Sequence, residues 1–403
     1  MKLSSCVKGY QMETHRTVPP EETLTRVEPL VPRSGITRVA DITKLDRIGI
    51  PVYSCIRPEA ATGAISVYNG KGATPVAARV SAIMEGIERY SAEPLDRAVV
   101  KGTYAELSEG GRAVYPDDLI LPSYADLTVP LEWVRGYDIM QDEGMYVPTH
   151  AVFHPVAHGS VRLFRTSTNG IASGNTLEEA VFHALSEVVE RDAWSLVEAS
   201  GRAGPVITEI DDPRCMQILA AFEAAGVEVL VRDITSDIGI PTIAAIADDV
   251  TLRDPTLLVT GMGTHTCPEI AALRALTEVA QSRATQIHGA REDTTEGDMR
   301  RMLGYDRMKR LNKKWFATDE TVSFGDLPAF RSGDFMDDIA YTLDQLASGG
   351  LDRCIVVDLT REEIGVPVVR VIVPGLEVYA MDNERVGERC RHARRGYIPG
   401  SKS

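Results

Sequence analysis

Thr74–Arg89 reads TPVAARVSAIMEGIER, and Thr176–Arg191 reads TLEEAVFHALSEVVER. Moved 102 positions along the chain without a gap, Ala78, Ala82, Glu85, Glu88 and Arg89 fall on Ala180, Ala184, Glu187, Glu190 and Arg191. A further shift of 91 brings Ala271, Ala275, Glu278 and Gln281 into the same register, with Pro268 in the place of Pro75. One helix pattern is written three times, and self-similarity of that kind governs how the rest of a chain is read.

Ala78, Ala82, Glu85 and Arg89 lie along one stripe of an α-helix, and Glu88 sits about 60° off it at 3.6 residues per turn. Two alanines one turn apart make a face that another backbone can approach closely. The glutamates therefore follow the packed side of each helix. A single E-x-x-E-R is ordinary surface salt-bridge decoration; three copies on alanine stripes are not. Thr74 followed by proline, and Thr176 with Glu179 three residues on, mark the helix starts.

Glu85, Glu88, Glu187 and Glu190, with Glu278 and the carboxamide of Gln281, can converge if the three helices pack together. Carboxylates that close raise one another's pKa unless a cation lies between them. Hard divalent cations with oxygen ligands answer that need, and Mg²⁺ keeps coordination positions open for phosphates. The usual nucleotide loops are absent. Gly63–Gly72 is two residues longer than a phosphate loop and has Gly72 where a Ser or Thr would hold the metal. Gly261-Met-Gly263 lacks the third glycine of a dinucleotide fingerprint. Glycine-rich turns at Asn69–Gly72 and Asn169–Asn175 nonetheless feed the first two helices, where backbone N–H groups face anions; plain connecting loops read equally well.

These stretches carry a resemblance. NGKGA at Asn69–Ala73 with SAIMEGIER at Ser81–Arg89, TNGIASGNTLEEAVFHALSEVVER at Thr168–Arg191, ALRALTEVAQSR at Ala272–Arg283 and GVPVVRVIVPGLE at Gly365–Glu377 occur in order. The chain resembles the YcaO proteins, ATP-dependent enzymes that activate a backbone amide, from about residue 60 onward. The resemblance implies an α/β fold of mixed sheets in which the three acidic helices form an ATP and Mg²⁺ site. It assigns the metal to Glu85, Glu88, Glu187, Glu190 and Glu278. It assigns ATP to Lys71, Ser81, Asn175, Glu179, Arg191, Gln281 and Arg283, and to Arg16, which stands where some relatives place a phosphate-contacting basic residue. Ser81 is matched in the second helix by His183, and the capping box by itself accounts for Glu179. No residue is assigned as catalytic.

In that family the amide oxygen takes the γ-phosphoryl group of ATP and leaves as phosphate. When sulfide supplies the nucleophile, a thioamide remains; when a substrate Cys, Ser or Thr does, an azoline ring forms. Azoline-forming members end in Pro-x-Pro-x-Pro, whereas this chain ends RRGYIPGSKS with one proline. The lead segment of residues 1–59 is also too short for a fused leader-peptide-binding domain, so residues 60–403 are expected to be one YcaO domain. Both points favour external sulfide. The overall likeness is to the archaeal stand-alone type, which thioamidates a glycine of methyl-coenzyme M reductase. The partners implied are that reductase's alpha subunit, a sulfide or sulfur-donor protein, a TfuA-like protein and a second copy of the chain. An azoline-forming cyclodehydratase and a non-catalytic ATP-binding accessory protein for a methylthiotransferase remain as alternatives.

The 403 residues, 44% hydrophobic, supply ample core for one large or two ordinary domains. A formal charge of −15 offers no basic surface to nucleic acid and is repelled by anionic membrane. No apolar run reaches the roughly 20 residues of a membrane-spanning helix, and MKLSSC lacks a signal-peptide core, so the cytoplasm is the expected location. The six cysteines are dispersed without C-x-x-C, which excludes a zinc knuckle and a redox dithiol. Cys55 and Cys390 are the ones to inspect as sulfur carriers. His150, His154 and His158 have helical spacing, but Pro155 breaks any helix there, so ordinary packing is expected.

Pro19–Glu22 reads as a helix start. Strands are expected at Val147–Phe153 and Ser160–Thr166, then Val206–Glu209, a helix over Pro213–Ala225, and strands at Val227–Asp233, Pro241–Ala247 and Leu257–Gly261. Two β-branched runs, Cys354–Leu359 and Pro367–Val373, are further strands. Arg385–Lys402 reads as a solvated basic tail.

Overall fold

The computed structural model describes residues 1–94, 97–108, 112–156, 163–290 and 296–396. Three antiparallel or mixed sheets organise it, together with a two-stranded ribbon at 10–11 and 15–16. Strands 38–41, 52–56 and 67–71 form a three-stranded sheet. Strands 100–102, 131–138, 355–358, 368–372 and 171–173 run in that order through a second sheet, with 143–148 folded back on 131–138. The third sheet orders 259–264, 242–248, 228–233, 206–208 and 321–323.

The last pair of that third sheet is parallel and the rest antiparallel. Each acidic helix leaves the edge strand of its own sheet. The first, Pro75–Ala92, follows strand 67–71; the second, Leu177–Ser200, follows 171–173; the third, Pro268–His288, follows 259–264.

Glycine on the strand and alanine on the helix explain how closely each pair packs. A Cβ added to Gly70 would sit 2.0 Å from the Ala82 nitrogen, and one on Gly263 would sit 2.1 Å from the Ala271 oxygen. On Gly174 it would lie 2.5 Å from the Ala180 nitrogen. Ala78, Ala82, Ala180, Ala184, Ala271 and Ala275 are all fully buried. The alanine stripes thus face the helices' own edge strands, which leaves the neighbouring glutamate positions to meet between the three units. Thr74 accepts from the Ala77 N–H and Thr176 from the Glu179 N–H, as the capping residues require.

The helix at Pro20–Val27, the helix at Pro213–Ala224 and the six strands expected from Val206 onward appear within three residues of their expected places, the largest shift being the strand expected at Leu257–Gly261 and found at Val259–Thr264. Three expectations are corrected. Val147–Phe153 is no single strand: the chain leaves the sheet at Pro148 and winds into a short buried helix over Thr149–Val152. Residues 160–162 of the other expected strand lie outside the described residues, and 163–166 carry no strand. The basic tail is not solvated at its start. Arg385 and Arg389 are buried, and Glu388–Arg394 is a helix packed on the second acidic helix; residues 397–402 lie outside the described ones. His150 is buried and His154 shares a hydrogen bond with Thr166, as ordinary packing predicts, while His158 lies outside the described residues. No helix among the described residues is long and apolar enough to cross a membrane.

Candidate functional site

The three units enclose a cleft of two lobes. The narrow lobe, about 260 Å³, is bounded by the chain's N-terminal segment at Glu13–Arg16 and by Ser81, Asn175, Glu179, His183 and Arg274. The wide lobe, about 970 Å³, opens toward Tyr68, Trp194, Gln281, Arg300 and the C-terminal segment Val378–Arg385. Lys71, Glu85, Glu88, Glu187 and Arg274 border both. The acids therefore stand at the junction of the lobes. Arg283 is the one expected site residue that does not reach the cleft. It is fully buried, donating to Asp46 at 2.8 Å and to Asp249 at 3.0 Å. Three residues beyond Glu278 along the stripe is Gln281; Arg283 lies two further residues around the helix, on the face turned to the core.

Each carboxylate at the junction is engaged by a neighbour. Arg89 donates to Glu85 at 3.1 Å, Lys71 bridges to Glu278, and Arg191 lies 3.9 Å from both Glu187 and Glu190. Ser173 donates to Glu88 twice, from its hydroxyl at 2.7 Å and its backbone N–H at 2.9 Å. Among the described residues no three acids converge on a common point in this arrangement.

The donor set still fits Mg²⁺: hard carboxylate oxygens on facing helices, with the buried Oε2 of Glu190 lacking any partner. Burial pushes the Glu88 carboxyl up to about 7, against the pull of Arg89 and Ser173. Burial also raises Glu187 and Glu190, while at Glu278 the burial is more than offset by Lys71 and Arg191 and the group is held low.

Around the narrow lobe, only the Thr176 half of the expected capping box forms, and the Glu179 carboxylate turns to the N-terminal segment. Its N–H takes the Thr176 hydroxyl, but its carboxylate accepts from the Thr17 N–H and hydroxyl, both at 2.9 Å, with Arg16 at 3.7 Å. It thereby roots the N-terminal segment on the second helix. Asn175 is held by Thr23 at 3.1 Å and donates to Glu179 at 3.2 Å. The Ser81 hydroxyl accepts from the Lys71 N–H at 3.3 Å, and the Gln281 amide donates to the Asn69 carbonyl.

Arg274 borders both lobes and was not among the expected residues. It occupies the same repeat position as Ser81 and His183, so the register that located the glutamates also points to it. The lining from Glu13, Thr14 and Met381 has no comparable signal, because those segments arrive from far along the chain. No cysteine borders either lobe among the described residues. Cys55 and Cys390 are fully buried with their thiols pushed up by burial, that of Cys55 to about 12, so neither is a sulfur carrier for this cleft.

Such a fold and site define a protein built to hold a magnesium-bound nucleotide between acidic helices, with a second, larger space beside it. Residues 69–377 match the family model described as YcaO cyclodehydratase, ATP- and Mg²⁺-binding, and the chain belongs to the YcaO family. ATP and Mg²⁺ are the cofactors of that family. The chain is 51% identical over 383 residues to an uncharacterized protein of Methanothermobacter thermautotrophicus, spanning 93% of this chain and 98% of that one. It is 34% identical over 382 residues, 90% of this chain and 89% of the relative, to an uncharacterized protein in the tfuA 3′ region of Rhizobium leguminosarum bv. trifolii. The YcaO protein of Methanopyrus kandleri, solved with AMPPCP and Mg²⁺, superposes with a TM-score of 0.82 at 33% identity, covering 95% of this chain and 98% of that one.

Proposed function

We propose that the chain is an ATP-dependent enzyme that replaces the oxygen of a peptide backbone amide by sulfur, acting on a glycine of methyl-coenzyme M reductase with sulfide as donor. The observation that carries this reading is the shared acidic junction. A nucleotide in the narrow lobe and a peptide in the wide one would meet at the residues common to both, Lys71, Glu85, Glu88, Ile171, Glu187 and Arg274. That is where a γ-phosphoryl group must sit beside an amide oxygen for transfer.

Arg16, Ser81, Asn175 and Glu179 would orient the nucleotide in the narrow lobe, Lys71 would meet its phosphates at the junction, and Arg191 and Gln281 would reach the terminal phosphate from the wide-lobe side. Glu85, Glu88, Glu187, Glu190 and Glu278 would hold Mg²⁺, whose charge stabilises phosphoryl transfer. The amide oxygen accepts phosphorus and departs as phosphate, and sulfur takes its place on carbon. With no cysteine at the cleft, the sulfur comes from outside the chain; sulfide is nucleophilic at neutral pH without a general base.

The relative in the tfuA region supports a TfuA-like partner. A second copy of the chain and a cytoplasmic setting complete the reading. Mass spectrometry of a glycine-containing reductase peptide after incubation with the protein, Mg·ATP and sulfide tests it. A gain of about 16 Da with release of ADP is expected. A loss of about 18 Da on a Cys-, Ser- or Thr-containing peptide would establish the cyclodehydratase instead. ATP binding without turnover, even with a TfuA-like partner supplied, would establish the accessory role.

A further inference from the structure

Met299–Trp315 reads MRRMLGYDRMKRLNKKW, with seven Lys and Arg against one Asp in a chain of net charge −15. It forms short helices at Glu296–Leu303, Tyr305–Leu311 and Lys313–Phe316, anchored by Tyr305 and Trp315, which are buried. Its outward side is unusual twice over. Met299, Met302 and Leu311 are 59%, 88% and 63% exposed, so three large apolar side chains stand in water. Arg307, Arg310 and Lys313 are exposed beside them and have no partner among the described residues. Other basic groups of the segment are used internally, Lys309 on Asp248 and Lys314 on Glu198. The segment adjoins the cleft, since Arg300 of the first of these helices lines the wide lobe with Gln286 and Leu258.

We infer that this basic, methionine-bearing surface docks an acidic amphipathic segment of the protein substrate while its target amide occupies the wide lobe. The inference rests on that lobe being the peptide site. Unpaired cations select glutamates and aspartates, and the apolar side chains between them gain by leaving water only against apolar partners. Nucleic acid offers phosphates but no apolar face to match Met299, Met302 and Leu311. Docking outside the cleft would raise the local concentration of the target amide without any new contact at the reacting atoms.

The test uses the full chain and fluorescein-labelled peptides. One is the bare glycine peptide, one carries a leucine- and glutamate-containing extension, and one carries the same extension with glutamine for glutamate. Fluorescence anisotropy at low salt is expected to show binding strengthened by about tenfold by the acidic extension only, the gain fading as salt screens it. In R307E/R310E/K313E, and separately in M302S/L311S, the gain is lost while Mg·ATP affinity is unchanged. An extension that adds nothing, or a gain that survives both variants, overturns the inference. So does stronger competition by an RNA or DNA oligonucleotide than by the acidic peptide. A shift of R307E/R310E/K313E from dimer to monomer in sedimentation overturns it too, by making the surface an interface between copies. Anisotropy needs no turnover, so the outcome is separate from whether the product is a thioamide.

Discussion

The Ser173 hydroxyl donates to Glu88 at 2.7 Å, joining the strand before the second acidic helix to the acid of the first. Ser173 stands at the repeat position of Lys71, and Lys71 in turn reaches Glu278 of the third helix. Two equivalent residues thus stitch their strands to another unit's acid, linking the three units through the site itself, whereas Thr264 at the same repeat position donates to Thr242 of its own sheet. Disturbing the acids tests binding and architecture at once, so the variants must be read by two measurements.

Glu85→Gln and Glu187→Gln preserve size and hydrogen-bonding capacity while removing a hard anionic ligand. Each is expected to lower Mg·ATP affinity by about a hundredfold or more in calorimetry, with urea unfolding midpoints close to those of the parent. Folded variants that bind nucleotide like the parent would remove these glutamates from the metal site.

The acidity of Glu88 sets a pH dependence. Its ordinary value is 4.5 and in the fold burial pushes it up to about 7. Between those values the folded chain keeps a proton that the unfolded chain releases, so nucleotide-free stability falls as pH rises through that window. Metal binding has the opposite sense, because the carboxylate must be free: Mg·ATP affinity climbs as pH rises through about 7 and drops below it. Glu88→Gln is expected to flatten the stability trend in urea titrations between pH 5 and 8. Calorimetry in buffers of different ionisation enthalpy reads the proton released on binding; no release at pH 6 would contradict the assignment.

The repeat made the three helices, their alanine stripes and the glutamates legible, because spacing along a helix decides which side chains share a face. The register also contained Arg274, opposite Ser81 and His183. What could not be read was whatever depends on long-range placement. That the N-terminal Thr17 is held by Glu179, or that Met381 walls the wide lobe, follows from contacts between residues more than a hundred positions apart. The misplaced strand at Val147–Phe153 shows the same limit locally. A β-branched and aromatic run surrounding Pro148 satisfies a strand pattern, yet the ladder ends at that proline and burial is completed by one helical turn. Arg283 was placed by likeness of motif, and only the packing of the third helix against Asp46 and Asp249 shows which face it takes.

Arg283 therefore supplies a contrast to the glutamates. Removing Arg283 leaves the Asp46 carboxylate uncompensated, while Asp249 keeps Arg47 at 2.7 Å; losing one partner of a buried ion pair costs about 3 kcal/mol. Arg283→Met is expected to lower the urea midpoint accordingly while the protein that remains folded binds Mg·ATP with unchanged affinity. A selective loss of nucleotide binding at undiminished stability would return Arg283 to the site.

Arg389 offers the means to move one wall of the wide lobe without touching the nucleotide. Its guanidinium donates to Asp192 at 3.0 and 2.8 Å and to Asp237 at 3.0 and 2.6 Å. Asp192 also accepts the Glu377 N–H at 2.9 Å, and the Glu377 carboxylate accepts from Gly387 and Cys390 at 2.9 and 2.8 Å. This latch pins both ends of the loop whose Val378, Met381, Asp382 and Arg385 line the lobe. Asp192 lies two residues beyond Glu190, so the latch and the acids share one rigid helix. Arg389→Ala is expected to free that wall, raising the KM for peptide by about tenfold or more with a smaller change in kcat. Mg·ATP affinity should hold, since the narrow lobe has no residue from this loop. Steady-state kinetics with varied peptide, run beside nucleotide calorimetry, separate the two; an equal loss in both would mean that the latch supports the whole cleft and not its peptide side alone.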